Sequence, residues 1–220
     1  MEIVLKGILF VLSEGCSWRA IDRPDASWNS IYQYYRRWSQ SGLWEKLLQR
    51  IQAEPTGRLR FLDSSHVKVH AHGANPAGGQ HAQEMGRTKG GLNTKIHALV
   101  DNRGRPVSVA LSSGEAADVR IAPSLLRGIT GGFVVADKAY DTDSFRALLD
   151  QLGAIPCIPP KATRNVQLHY AKGTYRKRHR VENFFQKLKS YRRVATRYDK
   201  LAQTYFGFVL FASALIELAR

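Results

Sequence analysis

Cysteine and acidic residues are both scarce in this chain. The two cysteines, Cys16 and Cys157, lie far apart and belong to no paired metal-ligand pattern, which argues against a disulfide scaffold and predicts a reduced, cytoplasmic protein. Asp and Glu number 18 against 33 Lys and Arg, so the formal net charge is +15. Because so basic a chain attracts polyanions, we expect a nucleic acid or an anionic membrane as its partner.

Long hydrophobic runs are absent as well. Residues 1–12 have a short apolar centre, but Glu2 lies where a signal peptide needs positive charge, and no cleavage site follows. Residues 205–216 form an apolar run of 12 residues, whereas a membrane-spanning helix needs about 20. We therefore expect two buried helices and no membrane partner, which leaves nucleic acid.

The first quarter of the chain has apolar residues at helical spacing and contains all four tryptophans. We predict an all-α segment over residues 1–55. Within it, residues 27–38 combine aromatic side chains with Arg36 and Arg37, which is typical of a small DNA-docking helix. A core helix with a solvated basic edge explains the same residues equally well.

Alternating apolar and polar residues begin after residue 58 and predict a strand over 61–69. Residues 94–100 and 106–111 have the same character and flank a turn signal, which predicts an antiparallel meander. Residues 73–91 lack an apolar period. We expect a loop there, with Lys89 exposed on it.

Helices and strands alternate in the rest of the chain. The pattern predicts a helix over 119–126, a buried strand over 131–136, a helix over 143–152, a strand over 154–158 and C-terminal helices. This is the element order of a ribonuclease H-like fold. We therefore predict an α/β fold, with a mixed sheet flanked by helices over residues 56–220, after an N-terminal helical DNA-binding segment over 1–55.

Two aspartates stand at unusual positions. Asp63 lies inside the first predicted strand, and Asp137 directly follows the buried strand, at the carboxyl end where open sheets present their sites. A buried acid faces a large desolvation cost unless a cation or hydrogen bonds compensate. A metal ion is one compensation and an ion pair with arginine is the other; taken singly, each acid favours the ion pair.

A third acid, Glu182, lies in a helix predicted over residues 174–191. At 100° per residue, Tyr175, Arg178 and Lys189 fall within about 40° of Glu182 around the axis. A neighbouring apolar stripe would seat this helix on the sheet, with Glu182 at the edge of the buried face. The simpler alternative is a solvated face on which Arg178 and Glu182 form a pair worth about 0.3–0.5 kcal/mol.

Three carboxylates suit phosphodiester chemistry, in which two Mg²⁺ ions roughly 3.5–4 Å apart stabilise the attacking and leaving oxygens. Mg²⁺ prefers oxygen ligands, so no cysteine or histidine is needed. We expect the three acids to hold two Mg²⁺ ions, with Mn²⁺ able to substitute, and Arg178, Lys189 and Tyr175 to contact DNA phosphates. The predicted DNA-binding set is completed by Arg36, Arg37 and Lys89.

The spacing Tyr175-x2-Arg178-x3-Glu182-x6-Lys189 matches a known signature at all four positions. It resembles the Y-x2-R-x3-E-x6-K pattern of bacterial DDE transposases of the insertion-sequence-5 family, within the insertion-sequence-4 group. The chain is similar to that family over nearly its whole length. Family members begin some tens of residues earlier, so we expect this chain to lack the start of the N-terminal region.

The segments 62–70 and 136–141 look like the two strands that carry the family's catalytic aspartates. The resemblance therefore implies that Asp63, Asp137 and Glu182 are the catalytic metal ligands. It implies metal-dependent cleavage at the ends of an insertion sequence and strand transfer into target DNA. It further implies a homodimer on double-stranded DNA in a bacterial cytoplasm, associated with the nucleoid when bound.

Three alternatives remain beside the transposase. A hydrolytic nuclease of the same fold would use the same metal site. A catalytically inactive, truncated or domesticated relative would bind DNA only. A zinc enzyme is disfavoured because no hydrolytic zinc spacing occurs; its candidate ligands would be His66, His70, His72 and His81.

Overall fold

The structure is a computed structural model and describes residues 1–22, 24–52 and 57–219. Three helices come first: α1 (Glu2–Glu14), α2 (Trp28–Gln40) and α3 (Leu43–Ile51). The turn before α2 is closed by Ser27, whose Oγ accepts the Ser30 N–H at 3.2 Å. The predicted all-α segment is confirmed where it is described. The boundary predicted between residues 55 and 56 lies outside the described residues.

Strands in the described part of the chain form one mixed sheet. They are β1 (Leu59–Val69), β2 (Gly86–Thr88), β3 (Gly91–Val100), β4 (Pro106–Ser113), β5 (Phe133–Val135), β6 (Ile155–Cys157) and β7 (Thr196–Arg197). The order is β2-β3-β1-β5-β6, with β4 paired to β3 and β7 to β1. β1, β3 and β4 form the predicted antiparallel meander, and β5 and β6 continue the sheet in parallel.

Helices cover both faces of this sheet. They are α4 (Ala122–Leu125), α5 (Asp143–Gln151), α6 (Lys172–Tyr175), α7 (His179–Ser190), α8 (Arg192–Ala195) and α9 (Ala202–Leu218). α4 and α5 bury one face in a core that includes Leu62 and Val134. α7 and α9 bury the other face in a core that includes Phe61 and Val135. Neighbouring residues enter different cores because successive side chains of a strand point to opposite faces.

α2 and α3 pack on α9, α1 packs on α2 and α8, and together they extend the second of these cores. The Tyr35 ring stacks on Phe208 with centroids 4.3 Å apart, and its hydroxyl donates to the Thr204 carbonyl at 2.5 Å. The closest approach is at Gly207, where a Cβ would lie only 2.6 Å from Ser39 Oγ. α2 is therefore a core helix whose basic edge stays exposed.

The two apolar runs differ in burial. Residues 205–216 lie inside α9 and are almost wholly buried, as predicted. α1 buries one side, which includes Ile8 and Val11, and leaves Leu5, Leu9 and Phe10 about 40% exposed, so the expected burial holds for one face of that helix only. Across the described ranges, no helix combines the length and the apolar character that a membrane span requires.

Two predicted elements differ from the structure. The loop predicted over residues 73–91 contains β2, which pairs with β3 in a hairpin and is too short to show a periodic pattern. The single helix predicted over 174–191 is interrupted: a 3₁₀ turn over Arg176–Arg178 separates α6 from α7. Such turns are common at helix N-termini, and this one makes Arg178 the capping residue of α7.

Candidate active site

Asp63 lies within β1, and Asp137 follows the end of β5, the strand that pairs with β1 in parallel. The register sets Phe61 against Val135, the last residue of β5, so each aspartate comes two residues after this pair. The backbone of Asp137 is extended, with φ −78° and ψ 176°, and a 3₁₀ turn begins there. The charge of Asp137 acts on the Asp63 carboxyl, so the two acids lie within electrostatic reach of each other at this end of the two strands.

Asp63 is largely buried, with 17% of its side chain exposed. Its Oδ1 accepts the Ser64 N–H at 2.9 Å, and its Oδ2 accepts Arg178 Nη1 at 2.6 Å. Burial raises the pKa of Asp63 above its ordinary value; the Arg178 charge and the Ser64 N–H oppose the rise, and the Asp137 charge adds to it. Asp63 therefore lies where added positive charge stabilises its ionised form.

Asp137 begins the 3₁₀ turn that follows β5. Its Oδ1 accepts the Ala139 N–H at 2.8 Å, which fixes the side chain at the start of that turn. It forms no ion pair with any residue that the structure describes. Of the three candidate acids, Asp137 is thus the one held by the backbone alone.

Glu182 projects from the first turn of α7. The helix is seated on β1 and β3 by its buried residues Val181, Phe184, Phe185 and Leu188. Glu182 itself is 47% exposed, and its Oε1 accepts Arg178 Nη2 at 2.5 Å. The helix therefore carries Glu182 at the rim of its buried face.

The Arg178 guanidinium joins two of the three acids. It donates to Asp63 through one terminal nitrogen and to Glu182 through the other. For Asp63, the structure thus shows the ion pair, one of the two compensations expected for a buried acid. Among the described residues, no three His, Cys, Asp or Glu side chains form a group that could hold one metal ion. Convergence of all three acids on shared ions stays a prediction.

The chemistry of the donor set suits a hard divalent cation. Asp63 and Asp137 both offer carboxylate oxygens, and the charge of Asp137 disfavours ionisation of Asp63. A cation bound by both would relieve that repulsion, and carboxylate oxygens are the ligands that Mg²⁺ prefers. Glu182 can add a third carboxylate where Arg178 gives up its contact.

The other two residues of the signature lie apart from each other. The Tyr175 phenol is half-buried beside Tyr170; burial raises its pKa, and the charges of Asp137 and Asp63 act in the same direction. Tyr175 is thus near the acids. Lys189 Nζ instead donates to the His66 carbonyl at 2.8 Å, and burial lowers its pKa. Lys189 therefore lies against β1 beyond the acids.

The remaining predicted DNA contacts stand on other surfaces. Arg36 and Arg37 are exposed on α2, and Arg37 packs over the Tyr34 ring at 4.6 Å. Lys89 is exposed in the turn between β2 and β3, as expected. Within the described ranges, none of the three forms an ion pair or a hydrogen bond with the acids.

Sequence reasoning missed Tyr140, three residues after Asp137. Its side chain is only 1% exposed, and the charges of Asp118, Asp63 and Asp137 all act on its phenol. The residue stands in the segment 136–141 that resembles the family, which was the available signal. Its side chain packs in the core that α4 and α5 cover, and its turn packs against the turn over Asp118–Arg120.

Asp141, four residues after Asp137, has a structural role. Its buried carboxylate accepts hydrogen bonds from Arg146, from Arg164 and from the Lys161 N–H at 2.7–2.8 Å. Burial opposes ionisation, but these hydrogen bonds prevail and lower the pKa of Asp141 to about 2. Asp141 thus fastens the segment after β6 to α5.

Comparison with known proteins identifies the family. A sequence model of the transposase DDE domain matches residues 54–216, and a model of IS4/5-family transposases matches residues 1–48. A Brucella ovis protein that is named as a transposase for insertion sequence element IS6501 is 41% identical over 129 residues, covering 58% of this chain and 99% of that protein.

A solved structure with the same fold is the piggyBac transposase in a synaptic complex with hairpin DNA. The TM-score is 0.60 at 10% identity, over 97% of this chain and 63% of that one. The chain thus spans less than two thirds of the piggyBac protein, and the likeness confirms the predicted ribonuclease H-like fold alone. Because the DDE model covers most of the chain and the IS4/5 model its start, the predicted resemblance is confirmed: the chain belongs to the family of DDE transposases of insertion sequences.

Proposed function

We propose that this chain is a transposase that cuts DNA at the ends of an insertion sequence and joins the freed strand to target DNA. The observation that carries the proposal is the placement of Asp63 within β1 and of Asp137 just after the parallel strand β5, with Glu182 linked to Asp63 through Arg178. Membership of the DDE transposase family supports the same reaction.

Asp63, Asp137 and Glu182 are the residues that would hold two Mg²⁺ ions, with Mn²⁺ able to substitute. Bound there, the ions would stabilise charge on the attacking and leaving oxygens of the phosphodiester. The chain's own contribution is to place Asp63 and Asp137 at the same end of two paired parallel strands. Burial of Asp63 also excludes water from its oxygens, which strengthens each electrostatic interaction there.

Arg178 changes partner in this proposal. Its planar guanidinium can donate to two oxygens at once, which suits phosphate as well as carboxylate. In this structure its two terminal nitrogens are used by Asp63 and Glu182. When a scissile phosphate arrives, Arg178 donates hydrogen bonds to that phosphate. The Tyr175 hydroxyl donates a hydrogen bond to a neighbouring phosphate oxygen.

Double-stranded DNA is the proposed partner, as element end and as target. The net charge of +15 supplies the attraction. We propose that four basic residues contact the DNA backbone: Lys189, Lys89, Arg36 and Arg37. Arg36 and Arg37 belong to the N-terminal segment over residues 1–55, which docks on DNA beside the catalytic domain over residues 56–220. Because two element ends must be joined, we propose a homodimer on DNA, acting at the bacterial nucleoid in the cytoplasm.

A strand-transfer assay tests the proposal. The substrate is duplex DNA carrying the terminal inverted repeats that flank the gene, with a plasmid as target and Mg²⁺ present. We expect Asp63→Asn, Asp137→Asn and Glu182→Gln to abolish cleavage and joining while DNA affinity is retained. The matched control is Asp143→Asn, because the Asp143 side chain is 91% exposed and pairs only with Arg164 in the described chain.

If the wild-type chain cleaves the DNA but joins no strand to the target, the function is that of a hydrolytic nuclease of the same fold and not that of a transposase. Full activity of Asp137→Asn would refute the carboxylate site itself.

The ion pairs of Arg178 favour one second candidate, a relative that binds DNA without cutting it. In such a protein Arg178 would neutralise Asp63 and Glu182 permanently, and the acids would be structural. Glu182→Gln would then leave both DNA affinity and any regulatory effect unchanged, and no cleavage product would form with the wild-type chain.

A further inference from the structure

A basic groove lies between α7 and the turn that joins β3 to β4. It has a volume of about 290 Å³. The turn contributes Arg103 to its lining, and α7 contributes His179, Arg180, Asn183, Gln186 and Lys187. No Asp or Glu is among the described residues that line it. The groove is therefore suited to an anion.

The charges of Arg180 and Lys187 are not neutralised by the described chain. Neither side chain forms an ion pair with a residue that the structure describes, and Arg180 Nε donates to no acceptor there. Arg178 shows the contrast, because acids use both of its terminal nitrogens. An arginine has five N–H donors and a lysine has three. Arg180 and Lys187 thus keep donors for an acceptor outside the chain.

This groove and the candidate acids flank the same helix. At 100° per residue, Arg180 and Lys187 stand about 140–160° from Glu182 around the α7 axis. Arg178 and Lys189 link the edge near Glu182 to β1, whereas the opposite edge faces the β3–β4 turn. A helix is about 10–12 Å across with its side chains. The groove therefore lies about one helix width from Glu182.

A DNA duplex fits this separation. Its two backbones are divided by a major groove about 12 Å wide, and it carries one negative charge per roughly 1.7 Å of its axis. A duplex that reaches the acids from one edge of α7 thus presents further phosphates at the other edge. The crest of α7 between the two edges is exposed and free of acids, with His179, Asn183 and Gln186 on it. Nothing on this crest repels a polyanion.

We propose that Arg180 and Lys187 bind backbone phosphates of the duplex that reaches the acidic site, on the edge of α7 opposite Glu182. Their charges anchor the duplex across α7, which holds its scissile phosphate beside Asp63 and Glu182. Both are positioning residues, since they act on the reacting phosphate only through the DNA. The inference rests on the proposed function in one respect, that the acids cleave duplex DNA.

The salt dependence of DNA binding tests the phosphate contacts. In EDTA, fluorescence anisotropy with a labelled duplex gives the slope of log affinity against log NaCl concentration. In Arg180→Gln/Lys187→Gln we expect a lower affinity and a slope smaller in magnitude by about 1.8, because each phosphate contact contributes about 0.9.

The matched control is Arg120→Gln/Arg127→Gln. It removes the same charge from two exposed positions beside α4, on the other face of the sheet, and should leave the slope unchanged. Arg180→Lys/Lys187→Arg keeps both charges and should retain the wild-type slope. An unchanged slope in Arg180→Gln/Lys187→Gln, or an equal fall in the control, would overturn the inference.

A thermal melt checks that Arg180→Gln/Lys187→Gln is folded. If it is not, Lys187→Gln alone decides, because the Lys187 side chain is exposed. The magnitude of its slope should fall by about 0.9, and a wild-type slope would overturn the inference.

Cleavage of a labelled element end in Mg²⁺ shows which duplex the groove holds. We expect Arg180→Gln/Lys187→Gln to need a higher DNA concentration for half-maximal cleavage, with an unchanged rate at saturating DNA. A wild-type requirement for the element end would overturn the assignment to the cleaved duplex.

Failure of the inference can be told apart from failure of the proposed function. A wild-type chain that transfers strands, with a wild-type slope in Arg180→Gln/Lys187→Gln, would remove the role of the groove only. A wild-type chain that cleaves the element end but joins no strand, with the expected changes in the variant, would keep that role and remove the transposase.

Discussion

Arg178 and Asp63 meet at 2.6 Å although 115 residues separate them in the chain. Arg178 directly precedes α7 and Asp63 stands within β1, so this contact fastens the helix that carries Glu182 to the strand that carries Asp63. One guanidinium therefore holds two of the candidate metal ligands. It must also compete with any cation that those ligands bind.

Removing Arg178 should expose that competition. In EDTA, Arg178→Ala should lower the free energy of unfolding by about 1–3 kcal/mol, because a largely buried carboxylate loses its partner. Mg²⁺ should then stabilise Arg178→Ala more than it stabilises the wild type, since the ion no longer displaces an ion pair. Urea denaturation with and without Mg²⁺ measures both effects.

Arg192→Ala is the control for Arg178→Ala. The Arg192 side chain is 74% exposed, and its nitrogen lies 3.8 Å from Glu14, so its removal should change neither the stability nor the response to Mg²⁺. Equal Mg²⁺ responses in wild type and Arg178→Ala would show that the ion does not reach Asp63.

The raised pKa of Asp63 predicts a pH effect of definite sign. A carboxylate whose pKa is raised by folding contributes stability at low pH, and this contribution is lost as the pH rises through the raised value. Asp63→Asn should therefore melt above the wild type at pH 7 in EDTA, and the gap should close towards pH 4. A variant that melts lower at pH 7 would contradict the burial of an unfavourable charge.

Asp141→Asn should show the opposite sign. Because hydrogen bonds lower the pKa of Asp141 to about 2, its contribution to stability is present above the ordinary pKa of about 3.9 and is lost as the pH falls towards 2. Removing one partner from this buried cluster should cost about 3 kcal/mol at pH 7. Thermal melts of Asp63→Asn and Asp141→Asn over one pH series show whether the two changes in melting temperature at pH 7 have opposite signs.

DNA binding should weaken steeply with salt. Each phosphate neutralised by Lys or Arg releases counterions, so the slope of log affinity against log salt is about −0.9 per phosphate contact. Fluorescence anisotropy with a duplex over a range of NaCl concentrations gives the slope. In the double variant Arg36→Ala/Arg37→Ala, the magnitude of the slope should fall by the amount expected for about two phosphate contacts. A flat response would remove the electrostatic basis of the DNA proposal.

Close packing at Gly207 should make it intolerant of a side chain. A Cβ there would lie 2.6 Å from Ser39 Oγ and 2.9 Å from Tyr35 Oη, so Gly207→Ala should cost about 1–3 kcal/mol of stability through overpacking. Gly173→Ala is the control, because nothing lies within 4 Å of its Cβ position. Chemical denaturation of both variants measures the difference in stability. Equal stability of the two variants would mean that α2 and α9 can move apart without an energetic penalty.

Most of the fold followed from local patterns in the sequence. The alternation after residue 58 marked β1, the apolar run ending at Asp137 marked β5, and the stripe of Val181, Phe185 and Leu188 marked the buried side of α7. β2 and the 3₁₀ turn before α7 were missed. Both span only three residues, which is shorter than a window in which periodicity can be recognised.

The sequence by itself determined which residues carry negative charge on strands and helix, which faces are apolar, and that the chain is strongly basic. These are local properties, set by residue type and by the periods of strand and helix. Only the tertiary structure decided that Asp63 and Asp137 stand at the same end of two paired strands, that Arg178 reaches both Asp63 and Glu182, and that the Tyr140 hydroxyl is buried without a partner among the described residues. Register and long-range side-chain contacts depend on which strands pair and how helices cross them, and no local pattern contains that information.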